Sequence, residues 1–171
     1  SKEDYDVGWR LNPTGLEPQV PETVISYDEI TELSEEFKKV HENIRLPTEF
    51  EWEWAALGGE DFEYAGCTDI NKVGWYKENK APWKAQGFCT LIKGKCVPVK
   101  RLKPNAYGLY DMNGNVFEWT DSFYDNNRGS SWVLRGGGWD NTARNARVAH
   151  RNCEEPGKRY DDLGFRLCFS A

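Results

Sequence analysis

The sequence has few of the residues from which metal and redox centres are built. Its 171 residues include two histidines, His41 and His150, and five cysteines, none of them spaced as Cys-x-x-Cys. A structural zinc site usually needs such paired cysteines, and a facial metal triad needs two histidines that can come together with a carboxylate. The composition therefore favours neither kind of metal centre.

Basic charge and long hydrophobic runs are also scarce. The net charge is -6 with a pI near 5.1, which argues against a nucleic-acid partner because phosphate binding needs a basic surface. Mean hydropathy is -0.77, and no apolar run approaches the length that crosses a membrane. The sequence has no G-x-S-x-G nucleophile elbow, and the glycine-rich run at 135–140 lacks the Lys-Ser/Thr pair of a phosphate loop.

The first residues carry no recognisable leader. The chain begins at Ser1 with an acidic segment instead of a charged and then apolar one, which suggests a trimmed product and leaves its localisation open. Residues 1–25 contain three prolines and no hydrophobic periodicity. They are predicted to be an N-terminal arm or the remnant of a longer chain, followed by a single domain over 26–171.

Two helices are predicted near the start of this domain. Ser26 and Glu29 have the spacing of a capping box, and apolar residues recur every three or four positions from Ile30, which predicts a helix over 27–42. Thr48 and Glu51 repeat the capping pattern, so a second helix is expected to run from there to the glycines at 58–59.

Short strands and long loops are predicted for the rest of the chain. Strand-like runs occur at 73–76, 88–92, 95–99, 108–112, 116–120, 131–137 and 164–168. Cys89 and Cys96 flank a predicted hairpin turn, where a disulfide is an open alternative. Two helices followed by irregular β structure predict an α+β fold.

The segment 134–167 alternates two kinds of position. One set resembles a structural frame: Arg135, Gly136, Gly137, Trp139, Ala143, Arg147, Ala149, Arg151, Pro156, Arg159, Gly164, Phe165 and Arg166. Polar, small and aromatic residues without periodicity lie between them, as in adaptable binding surfaces. We interpret the segment as an ordered binding surface on a rigid frame. The frame arginines are interpreted as internal struts that bind loop carbonyls, with an anion-binding cluster as the alternative.

Four ordered motifs resemble the formylglycine-generating-enzyme-like branch of the C-type lectin fold. They are LPTEFEW at 46–52, KPNAYGLYDMNGNVFEWT at 103–120, LRGGGW at 134–139 and GFR at 164–166. The resemblance implies two helices, small mixed sheets and long ordered loops. Residues 1–25 do not show the family's usual N-terminal strand region.

The catalytic residues of those enzymes do not carry over. The resemblance implies two copper-binding cysteines shortly after the glycine turn, and Asn141 and Ala146 occupy those places. Neither side chain can supply a thiolate, and the single Cys153 cannot replace two. The chain is therefore not expected to be an enzyme or to bind copper or iron.

The frame from Trp139 to Leu167 also resembles the variable region of proteins that are diversified by retroelements. In that family, adenine-directed mutagenesis rewrites selected codons, and the rewritten side chains form a ligand-binding surface. The resemblance assigns the variable region to 139–163 and its binding positions to Asp140, Asn141, Thr142, Arg144, Asn145, His150, Cys153, Gly157, Lys158, Tyr160, Asp161 and Asp162. Glu154, Glu155 and Lys158 depart from the pattern, since Asn codons ending in C do not reach Glu or Lys by adenine changes.

The function implied is a display protein with a protein or glycan ligand, exposed at a cell surface or secreted, and monomeric. Two alternatives stay open: a noncatalytic sensor or accessory module of a larger formylglycine-generating-enzyme-like protein, and an oxygenase or sulfoxide synthase of the same superfamily.

A further open alternative concerns the loop at 111–118. Its Asn-Gly pair is typical of a plain turn, but a loop with a carboxylate at each end and carbonyls between them also suits a hard cation. The matching loop of formylglycine-generating enzymes binds calcium. The resemblance therefore implies a candidate Ca2+ site at Asp111, Gly114, Val116 and Glu118, with backbone oxygens from the middle two.

Overall fold

The computed structural model describes residues 21–79, 96–125 and 130–169. Its first helix, α1, spans Tyr27–Lys38 and begins with the predicted capping box, in which the Glu29 carboxylate accepts the Ser26 amide at 2.9 Å. The predicted extension to residue 42 is wrong. The Lys39 and Val40 amides bond to carbonyls three residues back, and Val40 is 76% exposed, so no buried face supports another turn.

The second helix, α2, spans Glu49–Leu57 between the predicted signals. The Thr48 hydroxyl accepts the Glu51 amide at 3.2 Å, and the Glu51 carboxylate accepts the Thr48 amide at 2.8 Å. Gly58 ends the helix with a φ of 64°, a left-handed conformation that favours glycine. Trp52 is buried on the inner face of α2, whereas Trp54 is 46% exposed on the outer face.

The strands of the described ranges form three small sheets. The largest has four strands in the order β6-β5-β4-β7, which are Asn152–Glu154, Trp132–Arg135, Phe117–Phe123 and Leu163–Phe165. β4 is antiparallel to β5 and parallel to β7, so the sheet is mixed. Strand β1 (Ile44–Arg45) pairs with β8 (Cys168–Phe169), and β2 (Gly74–Trp75) pairs with β3 (Asn113–Gly114). The predicted α+β class with small mixed sheets is confirmed.

Two predicted strands are wrong. Residues 96–99 and 108–112 are irregular, because Pro98 lacks an amide hydrogen and Asp111 has a φ of 55°. The predicted strand at 88–92 and the alternative Cys89–Cys96 disulfide lie outside the described residues. Strand β6 was not predicted, since residues 152–154 show no apolar alternation.

One buried cluster joins α1 to the main sheet, and another packs α2 against residues outside that sheet. Ile30 of α1 packs with Trp119 and Leu134, and Trp52 of α2 packs with Met112 and Val148. The described end of the predicted arm contacts the domain as well: the Val24 amide donates to the Tyr160 carbonyl at 3.0 Å, and Trp119 Nε1 donates to the Ile25 carbonyl at 3.2 Å. Within the described ranges, no helix has the length and apolarity to cross a membrane.

Candidate functional site: the segment after β5 and the groove beside it

The chain leaves β5 through a turn that only glycines permit. Gly136 and Gly137 have φ values of 90° and 80°, in the left-handed region. A Cβ atom on Gly137 would lie 2.8 Å from the Asn145 carbonyl oxygen and 3.0 Å from the Cα of Ala146. The missing side chain therefore lets the short 3-10 helix Ala143–Ala146 pack directly against the turn.

The buried side chain of Trp139 joins the start of the segment to its end. Its ring is 4% exposed and packs with Cys96 and Val116, and its Nε1 donates to the Asp161 carbonyl at 3.3 Å. The burial of Trp139 agrees with its interpretation as a frame residue. Because residues 138–140 and 161–162 meet at this ring, side chains that are distant in sequence emerge close together.

Arg135 is a buried strut beneath the segment. It is fully buried, donates from Nη1 to Glu49 at 2.9 Å, and donates from Nη2 to Glu53 and to the Val148 carbonyl, the latter at 2.8 Å. Its guanidinium also lies 5.3 Å from the centre of the Trp52 ring. The Arg135 guanidinium therefore joins helix α2 to strand β5 and to the segment that follows β5.

The other frame arginines divide between the interior and the surface. Arg166 is buried, pairs with Glu118 at 2.8 Å and donates to the Tyr110 carbonyl at 3.1 Å. Arg147, Arg151 and Arg159 have side chains 37–47% exposed, so the internal-strut interpretation is wrong for these three. They pair with the carboxylates of Glu63, Glu49 and Glu29 respectively, and Arg147 Nε also donates to the Arg144 carbonyl at 3.0 Å, as predicted for a frame arginine.

None of the twelve predicted binding positions is buried. Seven are exposed and five are partly exposed. The exposed ones are Asp140, Thr142, Arg144, Gly157, Lys158, Tyr160 and Asp161, and the partly exposed ones are Asn141, Asn145, His150, Cys153 and Asp162. Between them, Ala146, Val148 and Leu163 are buried.

Contacts around Gly138 join the two ends of the predicted set. Asn141 Oδ1 accepts the Gly138 amide at 2.8 Å, and a Cβ on Gly138 would lie 2.7 Å from Asp162 Oδ2. Both side chains therefore lie against the same residue.

A chain of hydrogen bonds extends this contact along the segment. Thr142 Oγ1 donates to Asn145 Oδ1 at 2.9 Å, and Asn145 Nδ2 lies 3.2 Å from His150 Nε2. These contacts and chain continuity connect eight positions, which we call the turn surface: Asp140, Asn141, Thr142, Arg144, Asn145, His150, Asp161 and Asp162.

The other four positions lie beside the start of α1. The Tyr27 amide donates to the Pro156 carbonyl at 2.9 Å, and Arg159 pairs with Glu29 at 2.8 Å. Tyr160 Oη donates to Glu154 of β6 at 3.4 Å. We call this second group the arm surface: Cys153, Gly157, Lys158 and Tyr160.

A groove of about 960 Å³ runs between α2 and the turn surface. One side, the segment wall, consists of residues 144–151 except Ala146, and it includes Arg144, Asn145 and His150 of the predicted set. The opposite side, the constant wall, lies outside the predicted variable region and consists of Glu53, Leu57, Asp61, Phe62 and Glu63. Sequence reasoning missed the constant wall. The sequence does contain a pattern that could have indicated this wall. Glu53 and Leu57 are four residues apart on α2, and an exposed run of acidic residues with one aromatic residue follows.

His150 is held neutral within this groove. Partial burial lowers its pKa below the ordinary value, and the charges of Arg135, Arg147 and Arg144 lower it further. With Nε2 unprotonated, the ring accepts a hydrogen bond from Asn145 Nδ2.

The two carboxylates of the candidate calcium loop already have protein partners. Both Glu118 oxygens already accept hydrogen bonds, Oε2 from Trp52 Nε1 at 2.6 Å and Oε1 from Arg166 at 2.8 Å. Asp111 Oδ2 accepts the Lys100 amide at 2.7 Å, and burial raises the pKa of this carboxyl. The Arg166 guanidinium supplies the positive charge that the loop needs, so this arrangement favours the plain turn over calcium.

The described residues also lack clustered groups for metal or thiol chemistry. In the ranges that the structure covers, no three His, Cys, Asp or Glu side chains are grouped so as to bind a metal ion. Ala146 is fully buried, and the Asn141 side chain caps the Gly138 amide.

Comparison with known proteins identifies relatives over nearly the whole chain. The family model described as the sulfatase-modifying factor enzyme 1-like domain matches residues 6–171. An inactive C-alpha-formylglycine-generating enzyme 2 of Mus musculus is 39% identical over 138 residues, which cover 74% of this chain and 43% of that protein. A formylglycine-generating enzyme of Streptomyces coelicolor is 31% identical over 184 residues, covering 96% of this chain and 57% of that protein.

A solved structure with similar sequence is that of Treponema denticola variable protein 1. It is 38% identical with a TM-score of 0.61, and the match covers 74% of this chain and 48% of that one. The chain spans about half the length of these relatives.

Proposed function

This chain belongs to the sulfatase-modifying factor enzyme 1-like family, and we propose that it uses the formylglycine-generating-enzyme-like C-type lectin fold as a noncatalytic scaffold for a variable ligand-binding surface. Its similarity to a variable protein and to an inactive relative of the enzymes supports the noncatalytic scaffold.

One observation carries the proposal: no predicted binding position is buried, although buried residues are interspersed with these positions along the segment. All twelve predicted binding positions reach the surface, whereas Trp139, Ala146, Val148 and Arg166 between or beside them are buried. Substitutions at exposed positions change stability little, while changes in a close-packed core are costly. This segment can therefore change its binding chemistry without changing its fold.

The residues at the turn also support a noncatalytic role. The resemblance to formylglycine-generating enzymes places their two copper-binding cysteines at Asn141 and Ala146, and neither an amide nor a buried methyl group can supply a thiolate. Cys153 lies on β6 within the arm surface, away from this pair in the chain.

The ligand is expected to be a protein or glycan surface. The turn surface mixes charges, with Arg144 against Asp140, Asp161 and Asp162, and it is broad and polar. Deep pockets for small molecules are predominantly apolar and enclosed, whereas macromolecular interfaces have polar rims and aromatic anchors, and on the separate arm surface Tyr160 is an exposed aromatic side chain.

The experiment is a matched pair of libraries in the full chain. One library randomises the exposed turn-surface positions Asp140, Thr142 and Arg144, and the other randomises the buried positions Ala146, Val148 and Leu163. Folded, protease-resistant molecules should be common in the first library and rare in the second, and selection on immobilised proteins or glycans should enrich different sequences for different targets. Equal losses of folded protein in both libraries would refute the division into frame and display.

The alternative of a sensor or accessory module makes a different prediction. Sister isolates of a display protein should differ mainly at the twelve positions and carry a reverse transcriptase beside a near-repeat of the coding tail. A module with one fixed partner should have the same residues there in every isolate.

A further inference from the structure

The groove contains two charges of opposite sign that no ion pair among the described residues neutralises. Glu53 pairs with Arg135, Glu63 with Arg147 and Arg151 with Glu49, so most of the charged groove residues are already paired. Asp61 on the constant wall and Arg144 on the segment wall form no ion pair with any residue that the structure describes. Both are exposed and both line the groove.

The surroundings of Asp61 suit the stem of a cationic side chain. Phe62 follows it in the chain, is 37% exposed and lines the groove beside the partly buried Leu57. Lys and Arg place their alkyl stems along apolar surface while the charged end reaches a carboxylate, and an aromatic face adds attraction for the cation. A carboxylate, a ring and an aliphatic side chain on one wall supply all three contacts.

We propose that Asp61, Phe62 and Leu57 form a constant subsite for a Lys or Arg side chain of a protein ligand. The residues of the segment wall then discriminate between ligands that carry such a side chain. The inference rests on the proposed display function, and it commits to a polypeptide ligand because the subsite complements a cation on an apolar stem. Arg144, a cation of the opposite wall, complements an acidic or carbonyl group of the same ligand.

The position of the subsite gives it a function separate from the variable region. Asp61 and Phe62 lie outside the variable region 139–163, so diversification of that region leaves them unchanged. The Val148 amide donates to the Glu63 carbonyl at 3.0 Å, which joins this loop to the segment wall. A constant anchor beside a variable wall gives every variant a common starting affinity, and the variable residues then determine specificity.

The test selects peptides from a random library on the full chain and then measures their affinity by fluorescence anisotropy. Selected peptides should share a Lys or Arg next to an apolar residue. For one such peptide, Asp61→Asn should weaken binding by roughly fivefold, the upper range for a partly exposed ion pair, and should have little effect once the peptide's Lys is replaced by norleucine. Phe62→Ala should weaken both peptides.

Glu60→Gln is the matched control. Glu60 lies in the same exposed acidic run but does not line the groove, so this change should leave both affinities unaltered. If peptides are selected but Asp61→Asn affects the Lys and norleucine forms equally, the constant subsite is refuted while the display function stands. If no peptide is selected, the subsite and a polypeptide-binding display function are both refuted.

Discussion

Arg135→Ala is the perturbation that best tests how the variable segment is supported. The side chain is fully buried and joins Glu49, Glu53 and the Val148 carbonyl. Removal of one member of a buried ion pair typically costs 3–5 kcal/mol, since the remaining charge and carbonyl lose their partner. The side chains of Glu49 and Glu53 are 18% and 41% exposed and can regain water, so we expect the lower end, about 3 kcal/mol.

Urea unfolding measures this loss directly. With an m-value of about 2 kcal/mol/M for a domain of this size, a loss of about 3 kcal/mol moves the midpoint by about 1.5 M. Arg151→Ala is the matched control, because Arg151 also pairs with Glu49 but its side chain is 42% exposed, so it should cost less than about 1 kcal/mol. Equal midpoints for the two variants would show that burial of Arg135 does not support the segment.

Four further predictions concern other residues of the structure. Thr142→Ala and Lys158→Ala should change the unfolding free energy by less than about 0.5 kcal/mol, whereas Asn141→Ala should cost about 1 kcal/mol because the Gly138 amide loses its acceptor; thermal melts that rank the three equally would contradict this. Glu51, whose pKa is lowered to about 2 chiefly by Arg45, should contribute stability above its ordinary pKa near 4.5 that is lost as pH falls toward 2, and Glu51→Gln should flatten this acid limb in pH-dependent melts. The His150 ring should titrate below its ordinary pKa of 6.5 by NMR, with the signal assigned from His150→Gln. The unfolded chain binds this proton more readily than the folded chain does. The contribution of His150 to stability is therefore present above pH 6.5 and is lost as pH falls through the lower folded-state pKa. Excess chelator should leave the melt unchanged, and a fall in melting temperature that Glu118→Gln abolishes would establish calcium at the loop instead.

The parts of the fold that rest on local chemistry could be predicted from the sequence. Ser26 and Thr48 form capping boxes because these bonds join residues three apart, and Trp139 is buried as its frame position indicated. The end of α1 could not be predicted from periodicity, because Val40 continues the apolar pattern but meets no partner. Helix propensity does not reveal whether a neighbouring element covers the next turn.

The site was predictable in composition but not in arrangement. The alternation after Leu134 identified the exposed positions, yet sequence could not distinguish the buried Arg135 and Arg166 from the surface Arg147. All three were assigned to the frame from the same pattern, and their burial depends on strands and helices far away in the chain. The constant wall was missed for the same reason, since Asp61 approaches the segment wall only through long-range packing.

Exposure alone does not make all the turn-surface positions equally free to vary. Asn145 bridges Thr142 and His150, because its amide oxygen accepts from one and its amide nitrogen lies beside the other. A residue without an amide at 145 leaves two polar side chains to solvent, which costs little at a surface but loosens the wall of the groove. Substitutions at 142, 145 and 150 should therefore be coupled, whereas Arg144 between them should vary independently. Double-mutant cycles on the unfolding free energy measure this directly: coupling between 145 and 150 of about 0.5 kcal/mol or more, against additivity between 144 and 150, is the expected result. Additive behaviour for both pairs would mean that the hydrogen-bonded bridge has no part in ordering the segment wall.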